Sequence, residues 1–141
     1  MERLRTAAWL LRGISSIPGE LRLERGVLVF TATGAGTLWP FQWRRLARAL
    51  RRPTLSPPAH GETAVDLFAW PVEAVRVTAP WYWFGGGLVV RHEGIRLRIS
   101  FGRPVAPAEG LGEAADQVRE VRLMRQRGRQ WVAALERARR E

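Results

Sequence analysis

The chain contains no cysteine. That excludes a disulfide framework, a thiol nucleophile, an iron–sulfur site and any cysteine-ligated zinc, and it is compatible with the cytoplasm. Lysine and asparagine are also absent, so all 23 cationic side chains are arginine. Without lysine there is no phosphate-binding loop of the Gly-x-x-x-x-Gly-Lys type, and Gly34-Ala35-Gly36 lacks the third glycine of a dinucleotide fingerprint. Histidine is scarce. His60 and His92 show no spacing that suggests a metal site, and Ser15, Ser16, Ser56 and Ser100 lack a nucleophile-elbow context. The expectation is a protein that is not an enzyme and holds neither metal nor cofactor.

Long apolar runs are missing too. Ala7 to Leu11 is too short for a signal-peptide core and Arg12 interrupts it, while nothing approaches the roughly 20 apolar residues of a membrane-spanning helix. The expected protein is soluble and cytoplasmic, with any membrane contact peripheral to the inner face. Acids are outnumbered, 13 against 23, giving a net charge of +10, and none occurs between Glu24 and Glu62. Such a surface attracts phosphate, as lipid headgroup or nucleic acid. Arginine in place of lysine also follows from GC-rich coding or a hot habitat, with no function attached.

What is present builds a core. At 141 residues and 46% hydrophobic, with seven tryptophans, the chain suits one domain of ordinary size. From Ile95 the alternation is strict. Ile95, Leu97, Ile99 and Phe101 point one way, and Arg96, Arg98 and Ser100 the other. With Glu93-Gly94 as a two-residue turn, Val90 faces Leu97 and Leu88 faces Ile99, which specifies the register. Gly85-Gly86-Gly87 allows a bulge or a close approach. A second hairpin has the same construction: Arg25-Gly26 is its turn, Leu23 meets Leu28 and Leu21 meets Phe30. Further strands are expected at Val65 to Trp70, closed by Pro71, and at Val75 to Ala79. Pro18-Gly19 reads as a turn. Met1 to Gly13 shows helical spacing at Leu4, Ala7, Ala8 and Leu11, or begins a first strand that ends near Ile17.

Between Leu38 and Arg52 the period changes to that of a helix, started by Pro40 and stopped by Pro53. Trp39, Trp43, Leu46, Ala47 and Leu50 make its apolar stripe, with Arg44, Arg45, Arg48, Arg51 and Arg52 around the rest. A basic amphipathic helix bearing tryptophan suits an anionic membrane interface. The same stripe also suits a helix packed on the sheet with solvated arginines. Arg76, Arg91, Arg96 and Arg98 form a second candidate patch, on the outward sheet face. Arg91 and Arg96 are expected opposite each other, where like charges repel unless an acid such as Glu93 or Asp66 intervenes. Trp81, Tyr82, Trp83 and Phe84 cannot all be buried on one side of a strand.

Near the C-terminus, Leu111, Ala114, Ala115, Val118, Val121 and Met124 make a helical stripe over 113–126. Gly128 interrupts it, and Trp131, Val132 and Leu135 continue it as one kinked helix or two. The expected organisation is one domain over 1–126, with a basic helical insertion at 39–63 and a helical extension over 127–141.

The layout resembles the GRAM-type pleckstrin-homology-like family. The run Leu21-Arg-Leu-Glu-Arg-Gly-Val-Leu-Val-Phe30 is similar to that family's first unit, with Glu20, Leu21, Leu23, Leu28 and Phe30 in corresponding places and Glu24 where threonine is usual. Phe68-Ala-Trp-Pro-Val-Glu-Ala-Val75 and a final hairpin followed by a helix complete the likeness, which covers about Ile17 to Gln126. It implies a mainly β, α+β fold: an antiparallel split barrel of about seven strands, in two packed sheets, with one end capped by the last helix. The segment 39–63 departs from it as an insertion. Such domains bind phosphoinositides, other acidic lipids or peptides, and no ligand residue of the family carries over. The expected function is a binding module that contacts anionic membrane through Trp39, Trp43 and the surrounding arginines. A protein-interaction or self-association module, using Trp81 to Phe84 or the tail around Trp131, is the alternative. Non-specific nucleic-acid binding follows from charge alone and ranks below both. The oligomeric state is left open.

Overall fold

The computed structural model describes residues 2–58, 64–79, 86–103 and 114–141, with backbone alone for 114–117. In chain order its elements are β1 (Leu4–Arg12), β2 (Ser15–Glu24), β3 (Val27–Ala32), α1 (Pro40–Ala49), β4 (Val65–Pro71), a 3₁₀ turn (Val72–Ala74), β5 (Arg76–Thr78), β6 (Gly87–His92), β7 (Ile95–Ser100) and α2 (Ala114–Arg140).

Both hairpins take the register their alternation dictates. Val90 pairs with Leu97 and Leu88 with Ile99, and in the earlier hairpin Leu23 pairs with Leu28 and Leu21 with Phe30. The two turns share a backbone. Arg25 and Gly26 have φ of 53° and 72°, and Glu93 and Gly94 have 48° and 83°. Positive φ at both central residues is the hairpin turn whose twist matches the flanking strands.

The strands form one antiparallel sheet of order β4-β3-β2-β1-β7-β6-β5. Two separate sheets are not seen, because β1 pairs with β2 along its length and also with β7 through Trp9, Leu10 and Leu11. The sheet curls. On β4, Phe68 stacks on Trp70 with ring centroids 4.1 Å apart, and Trp70 stacks on His92 of β6 at 4.6 Å. The β4 edge therefore meets β6 around a single core that includes Leu10, Leu21, Phe30, Leu88, Leu97 and Trp131. On β4 a register shift opposite Phe30 and Thr31 leaves Leu67 unpaired, so that Leu67 and the adjacent Phe68 are both buried.

Four expectations are corrected. The N-terminal segment is strand, ending at Arg12, and the chain reverses at Gly13-Ile14 rather than near Ile17. Pro18-Gly19 is no turn and lies inside β2, where Trp9 pairs with Pro18. In a strand the N–H and C=O of one residue point to the same side. Since the Pro18 carbonyl accepts from the Thr33 N–H at 3.0 Å, the missing N–H faces the side on which β3 has ended. Gly19 is required by space, because a Cβ there would meet the Phe30 ring at 2.7 Å.

The third concerns Gly128, expected to interrupt the helix: α2 runs unbroken through it, one helix and not two, with Gly128 buried and positions 126 and 127 both inside it. The fourth concerns its stripe. Val118 and Val121 are exposed and Met124 is half-buried, whereas Trp131, Ala134 and Leu135 enter the core. Trp131 donates its indole N–H to the Thr6 hydroxyl at 2.9 Å and stacks near Phe101. The stripe's Leu111 and the side chains of Ala114 and Ala115 lie outside the described residues, as do His60 and the run Trp81 to Phe84. Among the described residues no helix is long and apolar enough to cross a membrane.

Candidate functional site

Trp39 is the residue before the first turn of α1, and Pro40 opens the helix. The Gln42 side-chain oxygen reaches back to accept the Trp39 N–H at 2.7 Å, which satisfies a donor left over at the helix start. The apolar stripe docks: Trp43, Leu46, Ala47 and Leu50 are buried. Trp43 donates its indole N–H to the Ala35 carbonyl at 3.1 Å. The expected stripe holds for those four and fails for Trp39, which is 68% exposed because it precedes the helix and leaves its face.

The arginines of α1 and of the turn that follows it divide into two groups. Arg51 and Arg52 are structural. Arg51 donates to the Glu93 carbonyl at 2.9 Å and to its carboxylate at 3.3 Å, and Arg52 donates to the carbonyls of Asp66 and Leu67. Together they fasten the end of α1 to the β6–β7 turn and to β4. Arg44, Arg45 and Arg48 are exposed and form no ion pair among the described residues. Arg44 lines an apolar groove of about 310 Å³ beside Leu38, Trp43 and Leu55.

The second basic patch is a ladder. Arg76 pairs with Arg91 across β5 and β6, and Arg91 with Arg96 across β6 and β7. Neither candidate acid neutralises it. Asp66 accepts from Thr31 and Arg22, and Glu93 pairs with Arg51 and lies 3.8 Å from His92. His92 stacks on Trp70, with its Nδ1 3.1 Å from the Ala74 carbonyl.

The two patches, separate in the sequence, meet in space. Arg45 from α1 and Arg96 and Arg98 from β7 line one open surface pocket of about 350 Å³, joined by Arg12 at the end of β1. Leu11, Gly13 and Gln42 complete the lining, and among the described residues no carboxylate contributes. Arg12, Arg45 and Arg96 form no ion pair among the described residues. Arg48, Arg76 and Arg91 lie outside the lining. Arg12 was not foreseen, since in the sequence it only ends an apolar run. The signal for it was its place beside Gly13, at a strand end where a turn can bring it onto a neighbouring strand.

Trp131, a candidate contact for a partner, is fully buried in the protein's own core. Among the described residues no group of histidine and acidic side chains is arranged to hold a metal. No family model matches the chain, and neither a search of curated proteins nor a search of solved structures returns a match.

Proposed function

We propose that the protein is a non-catalytic binding module that makes peripheral contact with an anionic lipid surface, built on a pleckstrin-homology-like frame. The seven-strand antiparallel order, the curl that brings β4 to β6 and the closing helix α2 support that frame. One observation carries the functional reading: arginines from β1, α1 and β7 converge on a pocket that, among the described residues, no carboxylate lines. Like charges opposed across strands are destabilising. A bound anion relieves the repulsion among the arginines that line the pocket, and a guanidinium forks onto phosphate oxygens.

The contacting residues are Arg12, Arg45, Arg96 and Arg98, with Arg44 and Arg48 alongside and exposed Trp39 at the edge. Trp43, Arg51 and Arg52 hold α1 in place instead. The surface envisaged is the cytoplasmic leaflet, whose anionic lipids attract clustered arginine.

Co-sedimentation with phosphatidylserine-containing vesicles against neutral ones tests the proposal. Wild type is expected to pellet with the anionic set alone, and Arg45→Gln with Arg96→Gln to weaken binding at least about tenfold, at about 1 kcal/mol per arginine near the surface. Equal pelleting of variant and wild type would remove the pocket from the contact. No pelleting at all would refute the membrane reading, and a steep salt dependence on oligonucleotides would redirect it to nucleic acid.

A further inference from the structure

Three large apolar side chains stand exposed on the segments that lead to the arginine pocket. Ile14, at the tip of the β1–β2 turn, is fully exposed, Trp39 is 68% exposed and Phe41 48%. Apolar residues scattered singly on a surface need no explanation. These three are held together. The Gln42 amide donates to the Ser15 hydroxyl at 3.4 Å, beside Ile14. The Ser16 N–H donates to the Thr37 hydroxyl at 2.9 Å, and the Thr37 N–H to the Ser16 carbonyl at 3.0 Å. The approach to α1 is thus stitched to the β1–β2 turn, which brings Trp39 and Phe41 to the end of the molecule that carries Ile14.

Two of the three adjoin residues of the pocket lining. Gly13, next to Ile14, and Gln42, next to Phe41, both line it. Arg45, which also lines it, lies over the Phe41 ring with its guanidinium carbon 5.5 Å from the centroid. One end of the protein therefore pairs a basic recess, lined by no carboxylate among the described residues, with apolar side chains beside it.

We infer that Ile14, Trp39 and Phe41 form a ridge that enters the headgroup–acyl boundary of a bilayer while the arginine pocket holds the headgroups. The inference rests on the membrane reading and adds a mode of attachment to it. A bilayer is the occupant that fits, because apolar rim and cationic recess sit side by side, as the hydrocarbon boundary and the phosphate layer do. An indole and a guanidinium both place an apolar body below a polar head at such an interface. Attachment of this kind has two components: salt screens the arginine component and leaves the apolar one.

The test uses the full chain with Ile14→Ser, Phe41→Ser and the double variant, on phosphatidylcholine vesicles with and without phosphatidylserine. All three ridge side chains are exposed, and thermal midpoints confirm that the variants fold. Wild type is expected to keep part of its binding at about 0.5 M salt, where the Debye length is about 4 Å. The double variant is expected to bind at least about tenfold more weakly at low salt and to lose the salt-resistant part. Phospholipid brominated on its acyl chains is expected to quench the tryptophan emission of bound wild type, and less so that of Trp39→Phe. If the double variant matches wild type at both salt levels, or bromination leaves the emission unchanged, the ridge does not insert and binding is electrostatic alone. If wild type binds no anionic vesicle, ridge and membrane reading fall together. A concentration-dependent dimer dissociated by Ile14→Ser would seat a second copy on the ridge and overturn the inference.

Discussion

Replacing Trp43 by alanine should act on folding and not on a surface. Its side chain is 2% exposed and packs in the core with Leu38, Leu46 and Leu50. Truncating a buried tryptophan costs about 3–5 kcal/mol through lost transfer energy and the cavity left behind. Its hydrogen bond to the Ala35 carbonyl, 3.1 Å long, adds about 1 kcal/mol when broken. Against a total stability of about 5–15 kcal/mol, the loss is large. It corresponds to a fall in thermal midpoint of roughly 10 °C or more for a domain of this size. Trp39→Ala is the matched control. With 68% of that side chain exposed, its loss should stay within about 0.5 kcal/mol. Urea titrations followed by far-UV circular dichroism measure both, since that signal does not depend on the tryptophan removed. A Trp43→Ala protein within about 1 kcal/mol of wild type, or a Trp39→Ala protein that loses as much as Trp43→Ala, would refute the packing of α1 described above. The pair also decides how vesicle binding is read: loss in Trp43→Ala reports a damaged fold, whereas loss in Trp39→Ala reports contact.

Gly19→Ala should destabilise by about 1–3 kcal/mol or more, because the added methyl meets the Thr31 carbonyl and the Phe30 ring, and denaturant titration will show it. Trp131→Phe should cost about 1–2 kcal/mol by stranding the Thr6 hydroxyl, and a double-mutant cycle with Thr6→Val should recover part of that loss. The Glu2 carboxyl is held below its ordinary pKa of 4.5, chiefly by the hydrogen bond from Arg137, 2.6 Å long. A depressed carboxylate contributes stability in full above its unfolded pKa and loses it as pH falls through the folded value. The acid limb of thermal midpoint against pH, read below 4.5, should therefore be shallower in Arg137→Gln than in wild type.

The hairpins were legible because strand alternation and turn chemistry agree there. Leu21, Leu23, Leu28 and Phe30 share a face only if Arg25-Gly26 turns, and the turn has the positive φ that such a connection needs. Where the two disagree, tertiary context decides. Pro18-Gly19 is strong local punctuation, yet β1 pairs across it and Phe30 fills the space that the glycine leaves. By the same local reasoning Gly128 interrupts the last helix, as a kink or as a break. It stays helical, because beside Trp131 and Ala134 the helix packs closely enough for the glycine to be buried. Periodicity misplaced Trp39 differently: 3.6-residue spacing assigns a face only to residues inside the helix, and Trp39 caps it.

The candidate site was legible in pieces and not as a whole. Period-two alternation places Arg91 opposite Arg96, and composition places arginines on α1, but neither relates the two sets. What relates them is the path of α1. Its apolar stripe docks through Trp43, Leu46 and Leu50, while Arg51 and Arg52 tie its end to Glu93 and to the β4 carbonyls. Those ties consume two cations and one of the two nearby acids, and Thr31 with Arg22 engages the other, Asp66. The contacts that hold the helix therefore also leave Arg45 beside Arg96 in a pocket that, among the described residues, no carboxylate lines. Arginines gathered from a helix and a strand end repel one another, and an anion that bridges them offsets that repulsion. That no carboxylate lines the pocket among the described residues is the physical argument for an anion from outside the chain.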